Sequence, residues 1–301
     1  MTAAGTAAGS AADAIARVRD MAAMPGKLLL VSDFDGTLSP IVREPMGARI
    51  VPAARRALRR LARLSEAHPE RLRVVILSGR SARDVAGRVR VGGLTYQGNH
   101  GIEAGVLPRG ARAEHLEVAA DDALTSFVDG ARALGVAVAD RLRNPGWLFV
   151  EDKGPTVAFH FRQAPDPDQA RAAVLAAIAD VEAEIGNHGL TAFEGRKVVE
   201  FRPIGAGAKG TAVERLIERE RPGAVVVLGD DRSDAEAFAA VQATREAGRI
   251  RALIAAVHGA TETPPEVLAH ADVELPNPAA AARFLTALAT VLERDVATRS
   301  S

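Results

Sequence analysis

The 301-residue chain contains no cysteine, which excludes disulfide bridges, thiolate metal ligands and a cysteine nucleophile. It also lacks a charge excess: Lys plus Arg and Asp plus Glu stand at 38 each, so there is no electrostatic footprint for nucleic acid or an anionic membrane surface. No stretch approaches the roughly 20 apolar residues needed to cross a bilayer. The Ala-rich segment 1–26 is broken by Gly, Ser, Asp and Arg, so it has no signal-peptide core and reads as a frayed tail or short helix. No Walker A sequence, HExxH pair or GxSxG elbow is present, so P-loop ATP hydrolysis, zinc proteolysis and that serine chemistry have no carrier. Aromatics are sparse at 4%, yet 48% hydrophobic and 25% charged residues is the balance of a soluble globular chain. Cytoplasm is the default location, and no nucleic-acid, membrane or stable protein partner is expected.

What is present is a series of short apolar runs. Lys27–Ser32, Val74–Leu77 and Ala224–Leu228 read as strands buried on both faces, separated by helical patterns such as Ala53–Leu64 and Ser81–Val89. Strand, helix, strand implies a parallel sheet, and such sheets bind ligands beyond the carboxyl ends of their strands. Those ends carry Asp33, Ser78 and Asp230. The middle of the chain differs. Trp147–Asp152, Thr156–Arg162 and Lys197–Arg202 are strand-like and flank helical stretches near Ala120–Leu134 and Pro167–Ile185, the pattern of an α+β insert. The parallel pattern returns with Ala252–Val257 and Asp272–Leu275, and a helix from Pro278 to about Leu292 closes it.

Asp33-Phe34-Asp35-Gly36-Thr37 ends the first run. In extended backbone, carboxylates at i and i+2 share a side, so both can face one phosphorus and one metal. Such crowding needs a cation or a shared proton to relieve it, and predicts a hard divalent ion such as Mg²⁺. Read alone, the Asp-Gly pair also fits a simple turn. Gly229-Asp230-Asp231-Arg232-Ser233-Asp234 adds three carboxylates after another buried run; Ser233 or Asp234 could equally cap the following helix. Asp230 with Asp33 and Asp35 would make an oxygen-lined Mg²⁺ site, with Asp231 or Asp234 orienting waters or Lys209 behind it. Ser78-Gly79 at a helix start suits a phosphate oxygen, and Lys209 could neutralise nucleophile and phosphate. Gly205-Ala-Gly207-Ala-Lys-Gly210 matches GxGxxG, but the preceding strand carries Glu200, Arg202 and Pro203 and is not the buried run a dinucleotide site needs.

The order DxDGT, SGR, Lys, GDDxxD resembles the haloacid dehalogenase (HAD) superfamily. The segments DFDGTLSPI (33–41), GNHG (98–101), VEDKGPTVAFHFR (150–162), GRKVVEFRP (195–203) and GDDRSDAEAF (229–238) are similar to those of trehalose-6-phosphate phosphatases. The resemblance implies an α/β fold: a HAD-like Rossmannoid parallel-sheet core, 27–103 and 204–301, with an inserted α+β cap of C2B type, 104–203. It further implies that Asp33 attacks phosphorus with Mg²⁺ bound. Asp35 then serves as acid and base, Lys209 assists, and Thr37, Ser78 and Gly79 hold the phosphate. His100, Glu151, Lys153, Arg162, Arg196, Lys197 and Glu200 match positions that grip the sugar. The family usually has Asp-Glu where this chain has Asp234-Ala235. Close alternatives are a phosphatase of a related disaccharide or pseudo-sugar phosphate, a hexose phosphomutase, and a silent sugar-phosphate sensor; the retained Asp33, Asp35, Lys209 and Asp230 speak against the last.

Overall fold

The structure is a computed structural model describing residues 11–42, 44–120, 122–195, 197–204, 207–258 and 263–299. The chain forms two compact units, Met1–Ala119 with Ala208–Ser301, and Ala120–Gly207.

The first unit carries β1 (Leu28–Ser32), β2 (Leu72–Leu77), β3 (Leu94–Gly98) and β4 (Glu103–Leu107), and the two-residue β5 (Ala119–Ala120) falls at its boundary. After the four strands of the second unit, described below, it resumes with β10 (Ala224–Gly229), β11 (Arg251–Val257) and β12 (Val273–Leu275). Their order is β12-β11-β10-β1-β2-β3-β4-β5, parallel from β12 through β3. The apolar runs are explained by the period of two along each strand. In β1, Leu28 and Leu30 enter one core layer while Leu29 and Val31 enter the other; in β10, Val226 and Leu228 alternate with Val225 and Val227 in the same way. The first layer is closed by α1 (Ala11–Ala23), α2 (Pro52–Ala67), α3 (Ala82–Val89) and α9 (Pro278–Arg299). The second is closed by α6 (Lys209–Glu220), α7 (Arg232–Glu246) and α8 (Pro265–Leu268). Helix α2 starts where Pro52 fixes the first turn, and buries Leu58 and Leu61 while its arginines point outward.

Of the two expectations for the N-terminal segment, a frayed tail or a short helix, residues Ala11–Ala23 form the helix. Ala14, Val18, Met21 and Ala22 of α1 are buried in the first layer, and Arg71 ties the segment down by donating to the carbonyls of Ala22, Met24 and Gly26.

The second unit is an antiparallel sheet of β6 (Phe149–Asp152), β7 (Val157–His160), β9 (Val198–Pro203) and β8 (Leu190–Gly195), in that spatial order, with α4 (Val128–Arg141) and α5 (Pro167–Ile185). Leu134, Val138, Val174, Phe159 and Phe201 fill its own core. Asp166 caps α5 by accepting from the N–H groups of Asp168 and Gln169.

The expected start of the insert, Ala104, falls inside β4. That strand returns antiparallel along β3, with Gln97 opposite Ala104, and belongs to the first unit. Glu103–Val106 are only partly covered, so this return strand lacks the buried apolar signature of its neighbours. Glycines at 130 and 135 similarly blur α4, which lies further along the chain than the helical stretch expected near Ala120–Leu134.

Candidate active site at the strand ends

Asp33 follows β1 and is buried, its N–H donating to the Leu228 carbonyl of β10 at 3.0 Å. Its Oδ1 accepts from Lys209 Nζ at 2.7 Å, and the same ammonium donates to Asp234 Oδ1 at 2.7 Å. Lys209 is the first residue of α6 and is fully buried, so it has no exit to solvent. Asp234 Oδ2 accepts from the backbone N–H groups of Asp230 (3.0 Å) and Asp231 (3.2 Å), which shapes the loop after β10. Asp231, rather than Ser233 or Asp234, is the N-cap of α7. Its carboxylate accepts from Asp234 N–H while Asp234 accepts in return, closing a capping box. Ala235 packs into the second core layer.

Asp230 accepts from the Thr37 hydroxyl at 2.9 Å. Thr37, expected as a phosphate ligand, thus has its hydroxyl proton committed to a carboxylate. Gly36 makes this approach possible: its φ is +86°, and a Cβ there would stand 1.9 Å from Asp230 Oδ2.

The carboxylates of Asp33 and Asp35 have different partners. Strand geometry ends at Ser32, and the next residues form a turn in which Gly36 N–H donates to Ser39 O (2.7 Å) and Ser39 N–H to Phe34 O (2.9 Å). The i, i+2 rule for extended backbone therefore stops short of Asp35. Its carboxylate is gripped by Arg80, Nε to Oδ2 at 2.6 Å and Nη2 to Oδ1 at 2.8 Å. Among the described residues the acidic group able to share a cation is Asp33, Asp230 and Asp234, with ligand oxygens within 4.8 Å of one another. Asp234 thus joins the group, and the Asp35 carboxylate stands outside it.

The electrostatics fit a cation. Burial pushes Asp33 up to about 6, with the charges of Asp231 and Asp35 adding to it and Lys209 opposing. Burial also drives Asp230 and Asp234 well above the usual carboxylate range, reinforced by neighbouring carboxylates. Asp231 is the exception: burial on its inner side acts upward, but Lys209 and hydrogen bonds from Ser233 and Asp234 bring it to about 2. Burial alone would lower Lys209, yet Asp234 and Asp33 hold it well above its ordinary value. Lys209 is bonded to two of these four carboxylates, Asp33 and Asp234, and the surplus of negative charge is consistent with a site for a hard divalent ion.

Ser78 follows β2 and its Oγ accepts from Arg80 N–H at 3.1 Å, leaving the hydroxyl proton available to another acceptor. Gly79 lies under the His100 ring, since a Cβ there would be 2.7 Å from Nε2. His100 is buried at the β3–β4 turn, in a left-handed conformation (φ +57°) between Asn99 and Gly101, its N–H donating to Ser78 O at 2.9 Å. These contacts bring His100 beside the phosphate-binding candidates.

The remaining candidates belong to the second unit. Register places Glu151, Ala158 and Glu200 side by side on one face of the sheet, opposite the face that carries Val157, Phe159 and Phe201 to the core. Lys153 Nζ donates to Glu200 Oε1 at 3.1 Å and lies 3.8 Å from Glu151 Oε2. Burial acts upward on Glu151, but His160 and Lys153 outweigh it and hold the carboxyl below its ordinary value. Arg162 sits in the turn after β7, and Lys197 is exposed in the β8–β9 turn with φ +59°. Arg196 lies outside the described residues.

Three residues were missed. His160 Nε2 lies 2.9 Å from Glu151 Oε2. Arg202 is buried, donates to Glu200 Oε2 at 3.0 Å and lies 4.5 Å from the Phe193 ring centroid. Arg80 is the third. The signals were present in SGR, VAFHFR and VVEFRP, but nothing in them says which neighbour each side chain meets. The GxGxxG match fails as expected, because the strand before it is antiparallel β9 of the second sheet.

A sequence model of the trehalose-phosphatase family matches residues 31–269. The chain belongs to that family. It is 36% identical over 276 residues to a trehalose-phosphate phosphatase of Mycobacterium avium, an alignment covering 87% of this chain and 62% of that protein. It is 38% identical over 220 residues to an uncharacterised glycosyl hydrolase of Mycobacterium tuberculosis, covering 70% of this chain and 15% of that protein. The chain therefore spans less than two thirds of the length of these relatives. The C-terminal domain of the Candida albicans trehalose-6-phosphate phosphatase superposes with a TM-score of 0.72 at 19% identity, covering 95% of this chain and 99% of that one. The fold is HAD-like, a mainly parallel sheet with an inserted antiparallel unit. No helix among the described residues is long and apolar enough to cross a membrane.

Proposed function

We propose that the protein is a Mg²⁺-dependent phosphatase that hydrolyses trehalose 6-phosphate to trehalose and phosphate through an aspartyl-phosphate on Asp33. The observation that carries this reading is the buried Asp33 carboxylate, fixed 2.7 Å from Lys209 beside Asp230 and Asp234. An Asp33 oxygen attacks phosphorus, the bond from phosphorus to the sugar oxygen breaks, and that oxygen leaves with a proton from Asp35. Water, giving its proton to Asp35, then attacks the phosphorus and frees phosphate and Asp33. Asp33 and Asp230, with Asp234 beside them, would hold the cation, which neutralises the phosphate oxygens when bound. Lys209 fixes which Asp33 oxygen stays free, and the Ser78 hydroxyl can donate to a phosphate oxygen.

The sugar is assigned to the charged face around Glu151, Lys153 and Glu200, whose alternating acceptors and donors suit hydroxyl groups. His100 remains a candidate at the phosphate end, whereas Arg162, Arg196 and Lys197 rest on the family resemblance. The test is phosphate release with Mg²⁺ from trehalose 6-phosphate, glucose 6-phosphate, mannose 6-phosphate and other disaccharide esters, with Asp33→Asn as control. Preference for trehalose 6-phosphate is expected. Preference for another disaccharide ester would move the assignment to that sugar, and no release from any ester would overturn it.

A further inference from the structure

The mechanism above needs Asp35 at the leaving oxygen, yet both its oxygens are held on the guanidinium of Arg80. While that pair lasts, Asp35 can neither give nor receive a proton at a substrate. The pair keeps some access to solvent: the Asp35 side chain is 39% exposed and that of Arg80 14%.

Arg80 is fastened from behind. Its Nη1 donates to Asp84 Oδ2 at 3.0 Å, and the same oxygen accepts from Arg88 Nε at 2.8 Å. Arg88 in turn donates to the carbonyls of Met46 and Ala48. The guanidinium carbon stands 5.8 Å from the Phe34 ring centroid, and the Arg80 carbonyl accepts from Asn99 N–H at 2.8 Å. Burial alone would lower Arg80, but the Asp35 and Asp84 carboxylates hold it above its ordinary value, so its charge is permanent.

A phosphate dianion arriving among Asp33, Asp230, Asp231 and Asp234 needs positive charge. Lys209 is already shared between Asp33 and Asp234. Arg80 holds a planar fork on Asp35, and that fork fits two phosphate oxygens as well as it fits a carboxylate. Its own N–H is on the Ser78 oxygen, so the fork and the Ser78 hydroxyl start from adjoining points of one turn.

We propose that Arg80 is a phosphate contact and the positioning residue of Asp35. Its fork rests on Asp35 until a phosphate ester arrives, then passes to the phosphate oxygens and releases Asp35 toward the leaving oxygen. Asp35 is thus the resting counterion of the group that recognises phosphate. This rests on reading the Asp33–Lys209 centre as a phosphate-ester site, and it does not depend on the sugar.

The test uses the full chain with Mg²⁺ and inorganic phosphate as probe, by titration calorimetry, together with steady-state kinetics. Arg80→Lys keeps the charge and removes the fork. It is expected to raise the phosphate Kd and the KM for the ester about tenfold while kcat stays within about threefold. Asp35→Asn is expected to tighten phosphate, because the fork is then uncommitted, and adding Arg80→Lys in that background is expected to weaken it again about tenfold. The double variant binding phosphate as tightly as Asp35→Asn would overturn the proposal, since Arg80 would then serve only its neighbour. So would a phosphate-bound structure with the fork still on Asp35. Failure of the sugar panel with these phosphate results intact would revise the substrate, not the role of Arg80.

Discussion

Lys209 Nζ lies 2.7 Å from Asp33 Oδ1, and both side chains are almost wholly buried. Replacing this lysine leaves Asp33 and Asp234 facing each other without their cation. Lys209→Met is expected to cost about 3–5 kcal/mol in urea unfolding without divalent ions. A saturating concentration of Mg²⁺ should restore part of that loss, because the ion supplies charge to the same carboxylates. A loss under about 1 kcal/mol would mean that the carboxylates take up protons and do not rely on the ammonium.

Gly36 fits only because it has no side chain. Gly36→Ala places a methyl within 1.9 Å of Asp230 Oδ2 and strains a φ of +86°. Phosphate release is expected to fall by about 100-fold or more, with a stability loss of about 1–2 kcal/mol from the left-handed conformation. Release near the parental rate would show that Asp230 does not need its observed place.

Glu200 anchors two cations, Lys153 and Arg202, on the charged face of the second unit. Glu200→Gln keeps the volume and removes the charge. Its kcat/KM on the sugar phosphate should drop about tenfold or more, while 4-nitrophenyl phosphate, which offers no sugar hydroxyls, should change about twofold at most. Parallel losses on both substrates would remove Glu200 from sugar recognition.

Glu220 lies at the far end of α6 from the site and accepts from Lys27 at 2.8 Å and Arg73 at 3.4 Å. Burial acts upward on its carboxyl, but Lys27 and Arg73 outweigh it and set it below the ordinary 4.5. A lowered folded-state pKa means that the unfolded chain binds the proton more readily, so this stabilisation is full above the unfolded value and fades as pH falls through the folded one. Glu220→Gln is therefore expected to cost about 1–3 kcal/mol at pH 7, and its deficit should shrink as the pH drops below about 4.5. A deficit constant from pH 7 to pH 3 would trace the loss to packing instead.

Strands β1, β2 and β10 could be read because each is buried on both faces and is followed by a polar residue at a turn. Asp33, Ser78 and Asp230 follow from that alone. The β3–β4 hairpin could not, since its return strand is half exposed and looked like the start of the insert. The pairing of Asp35 with Arg80 was equally hidden: it depends on a turn that rotates Asp35 away from Asp33, and on a helix start 45 positions later along the chain. The acidic loop announced its charges but not their division of labour, because Asp231 caps a helix while Asp234 faces inward to Lys209. Nothing in the sequence around His160 and Arg202 marks them as the partners of Glu151 and Glu200, which only their hydrogen bonds in the folded sheet reveal.

Strand β1 pairs through Leu28 with Leu72 on one flank and with Ala224 on the other. During synthesis, an emerging chain offers the first neighbour early and the second only after the whole inserted unit has been made. Until then β1 keeps a bare apolar edge, the kind of surface that recruits other chains, so chaperone demand should peak before Gly229 is added. The acidic cluster is consequently among the last features to come together, and a nascent chain can carry Asp33 for most of its translation without the surroundings that would make it reactive.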